Sequence, residues 1–122
     1  MSTLKVNTIQ NTSGGSSSTP ENIEQGRAKA WVNFTGTGTA AMEDEFGISS
    51  FTDNGTGHYT LGFDTSFANA NYCYTTGGTG TQQGSRTTKD VNQFVGSFDF
   101  KVRGGAGVFD PIRFCVSFFG DQ

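Results

Sequence analysis

The sequence is poor in the residues that build helices and large cores. Leucine occurs only at Leu4 and Leu61, and apolar residues fill 33% of the 122 positions, a low share for a domain that must bury its own core. No apolar run approaches the roughly 20 residues that cross a bilayer, and the stretch from Met1 to Gln10 has no apolar h-region of a secretory signal. Membrane insertion is therefore not expected. Basic residues number only 8 against a net charge of −3, and they are scattered. A nucleic-acid binder concentrates Lys and Arg to displace counterions from phosphates, so no nucleic-acid partner is expected. The 2 cysteines, Cys73 and Cys115, fall short of the about 4 to 8 that scaffold a small secreted fold. Two buried free thiols are the expected state, with a pair across a sheet as the alternative.

What is abundant points one way. The chain carries 12 Phe and 18 Gly; Phe, Val, Tyr and Thr suit half-buried pleated surfaces, and glycine suits tight turns. From Gly26 onward short alternating runs are separated by Gly/Thr/Asn turns. Ala28 to Phe34 places Ala30, Val32 and Phe34 on one face, with Lys29, Trp31 and Asn33 on the other. Ile48 to Asp53 and His58 to Phe63 flank Asn54-Gly55-Thr56-Gly57, a strong hairpin signal. Asn71 to Thr75 is a short strand, and Thr76 to Ser85 reads as a long exposed loop. Phe94, Phe98, Phe100 and Val102 share one face opposite Val95, Ser97, Asp99 and Lys101. After a turn at Gly104 to Gly107, Ile112, Phe114, Val116 and Phe118 oppose Arg113, Cys115, Ser117 and Phe119. About six or seven strands at this spacing make an all-β fold, a small antiparallel β-sandwich or jelly-roll-like head.

Residues 1–26 differ from the head at 27–122. They read as an extended N-terminal arm: Leu4, Val6 and Ile9 in one short strand, then a flexible Ser/Thr/Gly-rich linker from Asn11 to Pro20. An isolated strand is unstable, so an ordered Leu4–Ile9 segment implies pairing with another chain or protein; a frayed terminus is the alternative reading.

Chemistry-bearing motifs are few. Gly36-Thr37-Gly38-Thr39 and Gly77 to Gly84 lack the Lys and the following helix of a phosphate-binding loop. His58 is the single histidine; a triad with Asp53 and a serine would need geometry that a turn-flanking residue does not suggest. Glu43, Asp44 and Glu45 lack the spaced ligands of a calcium loop and read as a solvated acidic loop. Cys73, Cys115 and His58 are one ligand short of a structural zinc site. No catalytic residue, metal or cofactor is implied, and an enzyme is the least favoured class. Trp31 sits on the more polar face of its strand. It is either an exposed recognition residue, able to stack on a sugar or anchor an interface, or it is covered by a second layer. Val95 and Phe119 make the last strands apolar on both faces, which places both residues near a subunit interface.

One long stretch, Lys29 to Tyr74, resembles a module of tail-fibre and related virion fibre proteins of tailed bacteriophages, notably those infecting marine cyanobacteria and other aquatic bacteria. The pieces that carry the resemblance are Ala30-Trp31-Val32-Asn33-Phe34, Gly36-Thr37-Gly38-Thr39, Ile48-Ser49-Ser50, Asp53-Asn54-Gly55-Thr56-Gly57, Tyr59-Thr60 and Ala70-Asn71-Tyr72. Ser2 to Gly14 and the Phe118 to Asp121 ending are also similar. The resemblance implies a virion structural protein, assembled in the bacterial host cytoplasm, homotrimeric, and held to other virion proteins through residues 1–26. Its β head would face outward, toward a host-surface glycan or protein or a neighbouring virion protein. The resemblance transfers no catalytic residues. The sequence departs from long fibres in lacking a coiled-coil, collagen-like or depolymerase region, which leaves tail, neck and capsid positions open. A free carbohydrate-binding, lectin-like module is the alternative from another functional class.

Overall fold

The computed structural model describes residues 1–79 and 87–122. The expectation of an all-β chain holds: two antiparallel sheets pack face to face, and the chain passes back and forth between them. One sheet is built from β3 (Ala30–Thr35), β4 (Ala41–Phe46), β7 (Cys73–Thr79) and β11 (Arg113–Phe119), in the order β4-β3-β11-β7. The other contains β5 (Ile48–Gly55), β6 (His58–Phe63), β8 (Thr87–Phe94), β9 (Ser97–Gly104) and β10 (Gly107–Val108). There β9 lies between β6 and β8, β5 flanks β6, and β10 folds back on the end of β9.

Period-two alternation in the four central strands creates the core. Ala30, Val32 and Phe34 of β3 and Phe114, Val116 and Phe118 of β11 point inward from one sheet. Tyr59, Leu61 and Phe63 of β6 and Phe98, Phe100 and Val102 of β9 meet them from the other. Aromatic rings bridge the layers: Phe98 lies 5.0 Å from Phe118 and Phe34 lies 4.8 Å from Tyr59 between ring centroids. Such tilted and edge-on pairs contribute beyond the area they bury.

The two open ends of the sandwich are plugged differently. At one end Phe67 and Tyr72 close over Phe63, and the Tyr72 hydroxyl donates to the carbonyl oxygens of Phe94 (3.3 Å) and Ser97 (3.1 Å). Burial pushes that phenol up to about 12. At the other end Asp110 Oδ1 accepts from the Tyr59 hydroxyl (3.0 Å) and from the Gly57 N–H (2.6 Å). Burial first, then the Asp110 carboxylate, raises the Tyr59 phenol above its ordinary range. Gly36 is required here, because a Cβ would overlap the Tyr59 hydroxyl and Pro111.

The hairpin expected between Ile48 and Phe63 is present as β5–β6, with positive φ at Gly55 (125°) and Gly57 (62°) rather than at Asn54. Other expectations need correction. Phe94 and Phe98 do not share a strand: β8 ends at Phe94, Val95-Gly96 forms the turn, and β9 begins at Ser97. Phe94 is consequently exposed while Phe98 is fully buried. Ile112 is likewise exposed, one residue before β11 begins. The acidic Glu43-Asp44-Glu45 stretch is part of strand β4 and not a loop; it pairs with β3 on one side and leaves its other edge to solvent. Charges on such an edge discourage pairing with another chain. Thr76 to Thr79, read as the start of a loop, continue β7 against β11, while residues 80–85 of that expected loop lie outside the described residues.

Both cysteines are free and exposed, which overturns the expected burial. The reason is parity: β11 turns Phe114, Val116 and Phe118 inward, so Cys115 faces out, and Cys73 opposes Phe119 on that same outer face. Ellman's reagent should therefore titrate both thiols of the native protein without denaturant; slow or absent reaction would contradict this placement. Truncating the bridging ring in Phe98→Ala should lower unfolding stability by about 3–5 kcal/mol, read from urea denaturation.

Candidate functional site

The N-terminal segment holds more local order than its composition suggests. Ile9–Gln10 (β1) pairs with Ser17–Ser18 (β2) of the same chain, so Ile9 finds a strand partner within the molecule. Helix α1 follows over Pro20–Gly26. The signals for it stand in the sequence: Thr19 caps the helix by accepting from the Asn22 N–H (3.2 Å), Pro20 occupies the first turn, and Glu21 adds a negative charge there. Proline 20 thus starts a helix where composition alone suggests the end of a linker.

Polar contacts join α1 to the head. Lys29 is the buried charged residue at the start of β3, 4% exposed, and its ammonium donates to the Glu24 carbonyl oxygen (2.9 Å) and to the Glu24 carboxylate. Arg27 grips the same carboxylate through Nε (3.2 Å) and Nη2 (2.9 Å). These hydrogen bonds, Arg27 first and Lys29 second, hold the Glu24 carboxyl down to about 2. Gln25 adds a bond to Asp121 near the other end of the chain.

Leu4, Val6 and Ile9, the expected anchor residues, remain exposed, and the structure gathers them with Ile23 of α1 around a groove of about 580 Å³. Leu4 is 84% and Ile9 is 53% exposed. Among the described residues the head contributes none to this groove. Ile23 joins the expected anchor residues from α1.

The remaining sequence-derived residues lie apart. Val95 is in the β8–β9 turn, 47% exposed, with its carbonyl accepting from the Phe67 N–H (2.8 Å). Phe119 is half-buried at the end of β11, on the outer face of the other sheet. Trp31 is half-buried on that outer face, flanked in register by Ser117 and by Phe46, which is 47% exposed. Neither an exposed nor a covered Trp31 describes this position fully: the residue is of intermediate exposure.

His58 belongs to a polar network on the outer face of the five-stranded sheet. Its Nε2 lies 2.9 Å from Asp99 Oδ2, which also accepts from Thr60 Oγ1 (2.8 Å), while Thr60 accepts from Asn54 Nδ2 (2.7 Å). Burial alone would raise Asp99, but hydrogen bonds from Thr60, His58 and Asn92 outweigh it and keep the carboxyl below its ordinary value. Asp53 caps the neighbouring turn instead, accepting from the Gly55 N–H (2.9 Å), so His58 and Asp53 do not form a dyad. Among the described residues no serine bonds to His58, and no group of three or more His, Cys, Asp or Glu side chains could hold a metal ion. No helix of the described residues is long and apolar enough to cross a membrane. Comparison with known proteins finds no family model, no curated protein and no solved structure that matches the chain.

The Glu24 clamp carries a pH signature. Its folded pKa lies below the ordinary 4.5, so its stabilisation of α1 is complete above that value and is lost as pH falls toward about 2. Hydrogen exchange should show the α1 amides losing protection over this window while the amides of β9 and β11 stay protected. Glu24→Gln should produce the same loss at neutral pH.

Proposed function

We propose that the protein is a structural subunit of a tailed-bacteriophage virion, a short tail fibre or appendage that attaches by its N-terminal arm and presents its β head to host-surface or virion contacts. The observation that carries this reading is the uncovered apolar groove formed by Leu4, Val6, Ile9 and Ile23, set on a segment joined to the head by polar ties. Large apolar side chains gathered around one groove and left in water mark an interaction surface. The role asks for no catalytic group and no cofactor. It agrees with the resemblance of the Ala30–Phe34, Asp53–Gly57 and Ala70–Tyr72 pieces to virion fibre modules. A decorating fibre on the capsid or neck is the alternative placement.

Self-association is part of the proposal. A chain of this size with 33% apolar residues overall has a modest core, and Phe94, Val95 and Ile112 stay exposed on the head. We assign these surfaces, with Phe119, to contacts between copies in a homotrimer, the three-fold symmetry coming from the fibre resemblance. Closed rotational symmetry satisfies heterologous patches without open-ended growth.

Two measurements test this. Deleting Met1 to Pro20 should abolish incorporation into particles while the circular dichroism and urea midpoint of the head persist; incorporation of the truncated protein would exclude the arm as anchor. Multi-angle light scattering at low micromolar concentration should give three times the 13.0 kDa chain mass. A stable monomer would remove the oligomer, and a dimer would remove the three-fold assignment.

A further inference from the structure

A cleft of about 420 Å³ opens beside the start of β3, with Arg27, Lys29, Glu45, Phe46, Asp64 and Gln122 in its walls. Phe46 is 47% exposed on an edge strand and belongs to no ring cluster of the core. Its register partner is Trp31, so the two side chains stand on the same face about 5 Å apart at Cβ. We infer that this cleft and the adjoining Phe46–Trp31 surface form a binding site for a neutral carbohydrate.

Size, charge and shape each narrow the ligand. The volume falls within the range of small-molecule sites, which combine an apolar wall with a few placed polar groups. Cations and anions line the cleft in balance: Arg27 and Lys29 against Glu45 and Asp64. Both cations are already engaged by Glu24, so no uncommitted cation awaits a phosphate or an acidic sugar. Gln122 is held through its Nε2 on the Thr65 carbonyl (2.8 Å), which leaves its side-chain oxygen as an acceptor. Glu45 accepts from the Ile48 N–H (3.2 Å). Among the described residues the Asp64 carboxylate has no side-chain partner; its backbone N–H alone is tied down, on the Gly47 carbonyl (3.0 Å). A wall of acceptors with a few guanidinium N–H groups suits a ligand rich in hydroxyls, which both donate and accept. The exposed Phe46 ring and the open part of Trp31 supply an apolar platform for the C–H face of a pyranose.

The ligand class rests on the reading of the head as a contact module; sugar binding is measured without particles and incorporation without sugar, so failure of one is distinguishable from failure of the other. Trp31 is the only tryptophan, so emission excited selectively at tryptophan, beyond the tyrosine absorption band, reports this surface. The full chain would be titrated with methyl glucopyranoside, methyl galactopyranoside, methyl mannopyranoside and N-acetylglucosamine, with sialic acid and inorganic phosphate as acidic probes. Saturation-transfer NMR on the same sugars would detect binding that leaves the emission unchanged. At least one neutral sugar should bind saturably in the millimolar range. Phe46→Ala and Asp64→Asn should each weaken it about tenfold with the urea midpoint unchanged, since both side chains are exposed. No saturable binding by either method, or binding indifferent to both substitutions, would overturn the site. Preference for sialic acid or phosphate would overturn the neutral class.

Discussion

The aromatic contact between the middle strands of the two sheets is the interaction on which the rest of the molecule depends. Phe98 on β9 touches Phe118 on β11, and around this pair Phe100, Phe114, Phe34 and Tyr59 form a continuous set of rings. Few aliphatic residues are available, so phenylalanine supplies the volume that leucine provides in most cores. Each of these rings is fully buried, which fixes strand parity: a one-residue slip would turn Phe114, Val116 and Phe118 of β11 into water and bring Arg113, Cys115 and Ser117 inward. The position of β11 makes this constraint global. It is the last strand in sequence yet sits between β3 and β7. The core is incomplete until that strand inserts, and such non-local pairing is slow to form.

With the inner faces committed to rings, the polar networks, thiols and charges lie outward. The five-stranded sheet shows the His58–Asp99–Thr60 network, and the four-stranded sheet shows Trp31, Phe46, both thiols and the acidic edge of β4. Edges are guarded by charge and irregularity. On β4 this is the Glu43–Glu45 run with a register shift opposite Asn33/Phe34; on β8 it is Lys89 and Asp90 beside a shift before Asn92, with Asp90 at φ 49°. At these two edges the charges and irregularities discourage pairing with another strand.

How much of this is readable from sequence depends on how far local pattern decides structure. β3, the β5–β6 hairpin and β11 are legible, because apolar alternation is strict and turn residues bracket it. The Val95-Gly96 turn is not: Phe94 and Phe98 are four residues apart, so alternation runs unbroken through a two-residue turn and imitates one strand. The Thr76–Thr79 extension of β7 is hidden because its residues carry no apolar signal. It exists through its ladder with β11 and the close fit of Gly78 on the Phe114 ring, both remote in sequence. Residue type alone misplaces the cysteines, whereas parity in β11 turns Cys115 outward. The cleft beside Phe46 escapes any local reading, because Arg27, Asp64 and Gln122 meet there from three distant parts of the chain.

The junction between arm and head follows from the same economy of apolar residues. Too few remain in residues 1–26 to bury α1 against the sandwich, so the joint is electrostatic. A buried lysine is tolerable only with its partner in place, and Lys29 takes Glu24 as that partner while its own backbone N–H bonds to the Phe118 carbonyl (2.8 Å). One residue thus ties α1, the first strand of the head and its last strand together. An apolar joint would have consumed Leu4, Val6, Ile9 or Ile23; a polar one leaves all four on the surface. The arm can then be oriented by the head and still keep its apolar groove for another molecule.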